Sequence, residues 1–149
     1  MKLLLSLSLI LFFGNSIAQN PNFDESLAKK YNADQFGMKA YTLVLLKTGN
    51  FEEKDKTKRD SLFAGHMANI NHLVEINKMV VAGPLFKNDQ NYRGIFILDE
   101  TDPEKIKELM AADPTIKTGI FEPIYIKWFG SAALPAYLEV NDKIWSKKP

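Results

Sequence analysis

Four short apolar runs alternate with two amphipathic stretches along this chain, and their order restricts the fold more than any other property of the sequence. Ala40-Tyr41-Thr42-Leu43-Val44-Leu45-Leu46 is apolar throughout, β-branched and aromatic, and bounded by Gly37 and Gly49, which predicts a buried strand. From about Thr57 to Ile76 the period becomes helical. Leu62, His66, Asn69 and Leu73 fall on one stripe, and Phe63, Met67, Ile70 and Val74 on the next, giving an apolar face more than about 100° wide. Asn77 suits the position just past the helix end. Met79–Leu85, stopped by Gly83-Pro84, and Tyr92–Leu98 read as two further strands, and the turn cluster Lys87–Asn91 between them predicts an antiparallel hairpin.

The second half of the chain repeats the alternation. Thr101 or Asp102 caps a helix with Pro103 in its first turn, and Ile106, Leu109 and Met110 form its apolar stripe. Ala111–Glu122 then closes that helix, places Asp113 before Pro114, turns at Gly119 and leads into a last strand. That strand is predicted over Pro123–Phe129, ended by Gly130. The order is β-α-β-β-α-β, which predicts an α+β, ferredoxin-like domain: a four-stranded antiparallel sheet with two helices on one face. The other face is then bare and apolar, and a homodimer with sheets packed face to face is the simplest cover.

The ends differ in character. Met1-Lys2, the apolar run Leu3–Phe13 and the small-residue site Ser16-Ile17-Ala18 predict a signal peptide over 1–18, with Gln19 as the mature start. The run is shorter than the ~20 residues a membrane span needs, so no stable membrane insertion is expected after cleavage. The expected location is periplasmic or extracellular. Residues 19–37 are polar, with Phe23, Leu27 and Tyr31 spaced for one or two helical turns behind an Asp24 cap, and predict an N-terminal arm lying on the domain. Residues 38–130 form the domain, and 131–149 a tail with a possible helix over Leu134–Lys147.

Composition excludes several functions. The formal net charge is +1, and removal of Lys2 with the leader brings it to zero. The basic residues from Lys47 to Arg59 are interrupted by Glu52, Glu53 and Asp55, so no nucleic-acid footprint is formed. Cysteine is absent, which excludes disulfides, thiolate metal sites and cysteine nucleophiles. His66 and His72 lie ~240° apart around one helix and cannot share a metal, and neither a metal nor a cofactor is expected. Ser61 and Ser131 lack a nucleophile-elbow context.

Gly65-His66-Met67-Ala68-Asn69-Ile70, Lys78-Met79-Val80-Val81-Ala82-Gly83-Pro84, Tyr92-Arg93-Gly94, Ala112-Asp113-Pro114 and Gly119-Ile120-Phe121-Glu122 occur in an order and spacing that resembles the YCII-like (YciI-like) proteins of the dimeric α/β-barrel superfamily, over about Met38 to Phe129. The leader and Gly37-Met38 resemble an exported subgroup. The resemblance implies a cleft between sheet and helices holding a His–Asp pair, here His66 and Asp113.

Two readings of that pair stand side by side. His66 is either a general acid/base oriented by the Asp113 carboxylate or a satisfied core-edge histidine; Asp113 is either its partner or the cap of the turn after it. Arg93, at the mouth of the third strand, is a candidate for binding an anionic substrate group, or a surface arginine. Tyr41, Tyr92, Phe121 and Trp128 line either a pocket, or the core and dimer interface. The expected function is an exported small-molecule enzyme of lyase- or hydrolase-like type using His66 and Asp113. The alternative is a non-catalytic dimeric module that binds a small ligand or docks a protein through its arm and tail.

Overall fold

The computed structural model describes residues 20–141 and 143–146. The predicted leader, residues 1–18, and the predicted mature start at Gln19 lie outside them.

The central element is β1 (Met38–Thr48), which pairs antiparallel with β4 (Phe121–Ser131) over its whole length, from Met38 opposite Ser131 to Thr48 opposite Phe121. Its other edge pairs with β3 (Tyr92–Leu98), and β3 pairs with β2 (Met79–Pro84). The strand order is β2-β3-β1-β4, all antiparallel, the ferredoxin-like arrangement expected from the element order. The longer helices that precede or interleave these strands are α1 (Glu25–Lys30), α2 (Lys56–Glu75) and α3 (Pro103–Ala111). Asp24, Asp55 and Asp102 cap them by accepting hydrogen bonds from first-turn backbone N–H groups. At the far end of α2, Asn77 adopts φ 57°, and Lys78 N–H reaches Leu73 C=O at 2.8 Å, closing a Schellman turn.

The alternation of side chains sorts the sheet into two faces. Val44, Leu46, Phe96 and Leu98 face α2 and α3 and form the core with Leu73, Met79, Ile106 and Met110. The opposed residues Leu43, Leu45, Ile95, Ile97, Ile124 and Ile126 occupy the other face, where Ile126 is 40% exposed.

Three local expectations are corrected. Gly130 does not end the last strand: β4 continues to Ser131, and Gly130 is needed because a Cβ there would lie 2.3 Å from the Trp128 ring. A turn of helix not foreseen, α4 (Pro114–Lys117), follows Asp113. The tail is not one helix over 134–147. It is a 3-10 turn (Leu134–Tyr137) and a single α turn, α5 (Leu138–Asn141), with residues 143–146 irregular and residues 142 and 147 outside the described set. Pro135 sits inside the 3-10 turn and Lys143 N–H bonds Val140 C=O, a tighter spacing than α-helix.

The arm does form its helical turns behind Asp24, but none of the α1 residues is buried, and Phe23 and Leu27 are half-exposed. It ties to the tail instead. Lys30 pairs with Glu139 at 2.9 Å, an exposed contact worth little on its own. Among the described residues no helix is long and apolar enough to cross a membrane.

Candidate functional site

The His66–Asp113 contact is built by two helices meeting at close range. Gly65 lets α2 approach α4: a Cβ at position 65 would lie 2.6 Å from Cγ of Pro114. The next residue on α2, His66, is thereby aimed at the N-terminus of α4. There Asp113 is held in an extended backbone conformation (φ −75°, ψ 117°) as the cap, with its side chain wholly buried.

The two oxygens of Asp113 divide the work. Oδ1 accepts from Thr115 N–H at 2.9 Å and from the Thr115 hydroxyl at 2.6 Å. Oδ2 lies 2.6 Å from Nδ1 of His66. Burial by itself would push the Asp113 carboxyl up, but the hydrogen bonds from His66 and Thr115 outweigh it and hold the group below the ordinary carboxylate range. The carboxylate is therefore ionised near neutral pH and accepts, so Nδ1 of His66 carries the proton and donates. In the tautomer with the proton on Nδ1, Nε2 is the lone-pair acceptor. Thr115 Oγ1, 3.3 Å from Nδ1, braces the same corner. The imidazole ring is enclosed by Phe96, Phe121 and Phe63, with centroids at 5.8, 5.6 and 6.3 Å.

His66 borders a cavity of about 670 Å³ between α2 and the helix-side face of the sheet. Its walls are mainly apolar, with Leu46, Ile70, Val74, Phe96 and Phe121 among them. Such a volume and lining suit a small organic ligand. Among the described residues no hydrogen bond to Nε2 of His66 is made by the protein, so the ring's free nitrogen is available to whatever the cavity holds.

Arg93 borders the same cavity. Strand alternation alone would put it on the opposite face with Ile95, but the pairing of β3 with β1 slips by one residue here: Leu46 opposes Gly94 and Lys47 opposes Tyr92, leaving Arg93 unpaired in the ladder. A bulge of this kind re-aims a side chain. Nε of Arg93 donates to Thr48 Oγ1 at 2.7 Å, which fixes one edge of the guanidinium. A second slip, on β2, leaves Val80 extra between Met79 and Val81. Its carbonyl accepts the Tyr137 hydroxyl at 2.5 Å.

Of the aromatic candidates, only Phe121 lines the cavity. Tyr41 and Trp128 stack at 5.5 Å on the opposite side of the sheet, and Tyr92 does not border the cavity. Gly83 and Pro84, which suit a strand end first and a close backbone approach to a ligand second, do border it. Tyr137 and Trp145, which no sequence motif marks as site residues, face the cavity from the tail. Among the described residues no cluster of three or more His, Asp or Glu is placed to hold a metal.

No curated protein matches the chain. Among solved structures it is similar to the 5-chloro-2-hydroxyhydroquinone dehydrochlorinase (TftG) of Burkholderia phenoliruptrix AC1100, solved in complex with 2,5-dihydroxybenzoquinone, at 20% identity over 58% of this chain and 92% of that one, with a TM-score of 0.42. The sequence pattern of the YCII-related domain matches residues 42–130, more than half of the 149-residue chain and every element from β1 through β4. The protein therefore belongs to the YCII-related domain family.

Proposed function

We propose that this protein is an exported enzyme acting on a small organic molecule, with His66 as general acid/base and Asp113 as the group that orients it. One observation carries the reading: a buried, ionised Asp113 lies 2.6 Å from Nδ1 of His66 while the other ring nitrogen is left to a cavity. An imidazole fixed in this tautomer takes a proton from a bound substrate at Nε2, and the carboxylate stabilises the imidazolium that results. The proton returns to the leaving or adjacent atom in the second half of the cycle. Proton transfer, elimination and hydrolysis all use this cycle. Arg93 binds an anionic group of the substrate at the cavity edge.

Residues 1–18 act as a removable leader, and the mature chain consists of an arm (19–37), the domain (38–130) and a tail (131–149). It pairs with a second copy through the Leu43–Ile126 face of the sheet.

His66→Ala and Asp113→Asn test the mechanism against a panel of small metabolites, read for turnover and for affinity. Loss of turnover with affinity retained supports the pair as catalytic. Full activity of both variants on any substrate found overturns it, and binding by the wild type without any turnover favours a ligand-binding module.

A further inference from the structure

The cavity carries a chemical preference that its family membership does not supply. Among the described residues Arg93 is the one lysine or arginine on its lining, and no aspartate or glutamate lies there. Asp113 is not on the lining: its carboxylate oxygens are taken up by Nδ1 of His66 and by Thr115, on the side of the ring away from the cavity. The Arg93 guanidinium has one edge on Thr48, and among the described residues it has no carboxylate partner. A register slip at Arg93 itself brings it to this side of the sheet. The cavity thus pairs one exposed cation, held by Thr48, with a mainly apolar enclosure that also carries Asn71 and Asn141.

The enclosure is aromatic on two sides. Phe96 and Phe121 stand on the sheet beside His66, and Tyr137 and Trp145 face the same space from the tail. The tail residues lie beyond the matched domain, which ends at residue 130. The Tyr137 hydroxyl is fastened to the bulged Val80 carbonyl, so the strap is tied to the sheet next to the cavity.

We propose that the cavity takes an aromatic monoanion, its ring against the Phe96, Phe121 and Trp145 walls and its charged group on the free edge of the Arg93 guanidinium. A fork of N–H donors fits a carboxylate or phenolate better than any neutral group. Aromatic walls favour a flat π-face over a puckered saturated ring. This class rests on the reading of the cavity as the site of His66 chemistry, but affinity tests it without turnover.

Calorimetric titration of the full chain with 2-naphthoate, 2-naphthamide and decahydronaphthalene-2-carboxylate separates charge from shape. 2-Naphthoate binds at least tenfold more tightly than either analogue. Arg93→Met removes the preference for acid over amide and leaves 2-naphthamide affinity within about twofold, and Arg93→Lys gives an intermediate preference. Trp145→Ala narrows the preference for the aromatic acid over the saturated one. Circular dichroism melts of the three variants establish that each is folded. Equal affinity for acid and amide, a preference that survives Arg93→Met in a folded variant, or no binding of 2-naphthoate at millimolar concentration overturns the proposal. The two readings fail separately: failure of the acid/base mechanism appears as turnover retained in Asp113→Asn, and failure of the ligand class as equal affinity of the wild type for acid and amide.

Discussion

Gly65 and Pro114 touch where α2 crosses the start of α4, and a Cβ at position 65 would fall 2.6 Å from the proline ring. The neighbours of these residues, His66 and Asp113, are the two ends of the 2.6 Å contact at the cavity. Close helix approach and site geometry are thus one structural fact. Gly65→Ala gains up to ~1 kcal/mol of helix propensity, but overpacking against a rigid ring costs about 1–3 kcal/mol. A net loss of stability is expected in urea titration, together with weakened activity. Gly65→Ala/Pro114→Ala recovers most of both, and a double variant no better than Gly65→Ala would refute the contact as the cause.

Asp113 holds a turn with one oxygen and an imidazole with the other, and substitution separates these duties. Asp113→Asn keeps an oxygen for Thr115 but turns an N–H₂ toward His66 Nδ1, which forces the opposite tautomer and removes the acceptor at Nε2. A fall in kcat of about 10²–10⁴ is expected, the usual range for general acid/base catalysis. Asp113→Ala also loses the cap, about 1 kcal/mol more. Parallel measurement of kcat and urea midpoint checks the split. The mechanism fails if Asp113→Asn turns over at the wild-type rate.

Acid sensitivity resides in depressed carboxyls. Lys78 at 2.7 Å, then the backbone N–H groups of Asp102 and Thr101, lower Glu100 to about 2. Asp113 is also lowered. A carboxyl lower in the folded than in the unfolded chain stabilises the fold above its unfolded value and loses that contribution as pH falls through its folded value. For Glu100 the window runs from the ordinary 4.5 down to about 2. Urea midpoints should fall across this window in the wild type and fall less in Glu100→Gln. Identical pH profiles for the two proteins would remove Glu100 from the account.

The open sheet face gives the fourth prediction. Ile126, 40% exposed in the single chain, sits opposite Leu43 on that face. Ile126→Lys puts a charge into the proposed dimer contact without entering the helix-side core. Sedimentation equilibrium should show a dimer for the wild type and a monomer for the variant, with unchanged far-ultraviolet circular dichroism. A wild type that stays monomeric at micromolar concentration overturns the dimer.

Much of this was legible in the sequence. The β-branched runs and the Asp102-Pro103 start specify elements by local chemistry, and Tyr92–Leu98 is a strand with the expected bounds. The His66–Asp113 contact spans 47 residues, so periodicity could not pair them, and the family resemblance did. The cap and pair readings of Asp113 looked like rivals because a sequence does not show that each oxygen takes one role. The side on which Arg93 emerges depends on a one-residue slip, for which Gly94 inside an apolar strand was the available sign. The place of Trp145 was hidden because a short tail is positioned by contacts made far from it in sequence.

The strap that carries Tyr137 and Trp145 supplies none of the buried core residues, whereas His66 and Asp113 are locked between packed helices. The two parts of the cavity therefore differ in how far the fold depends on them. Substitution in the exposed strap alters the cavity wall at little cost to folding, whereas substitution around the pair disturbs packed helices as well.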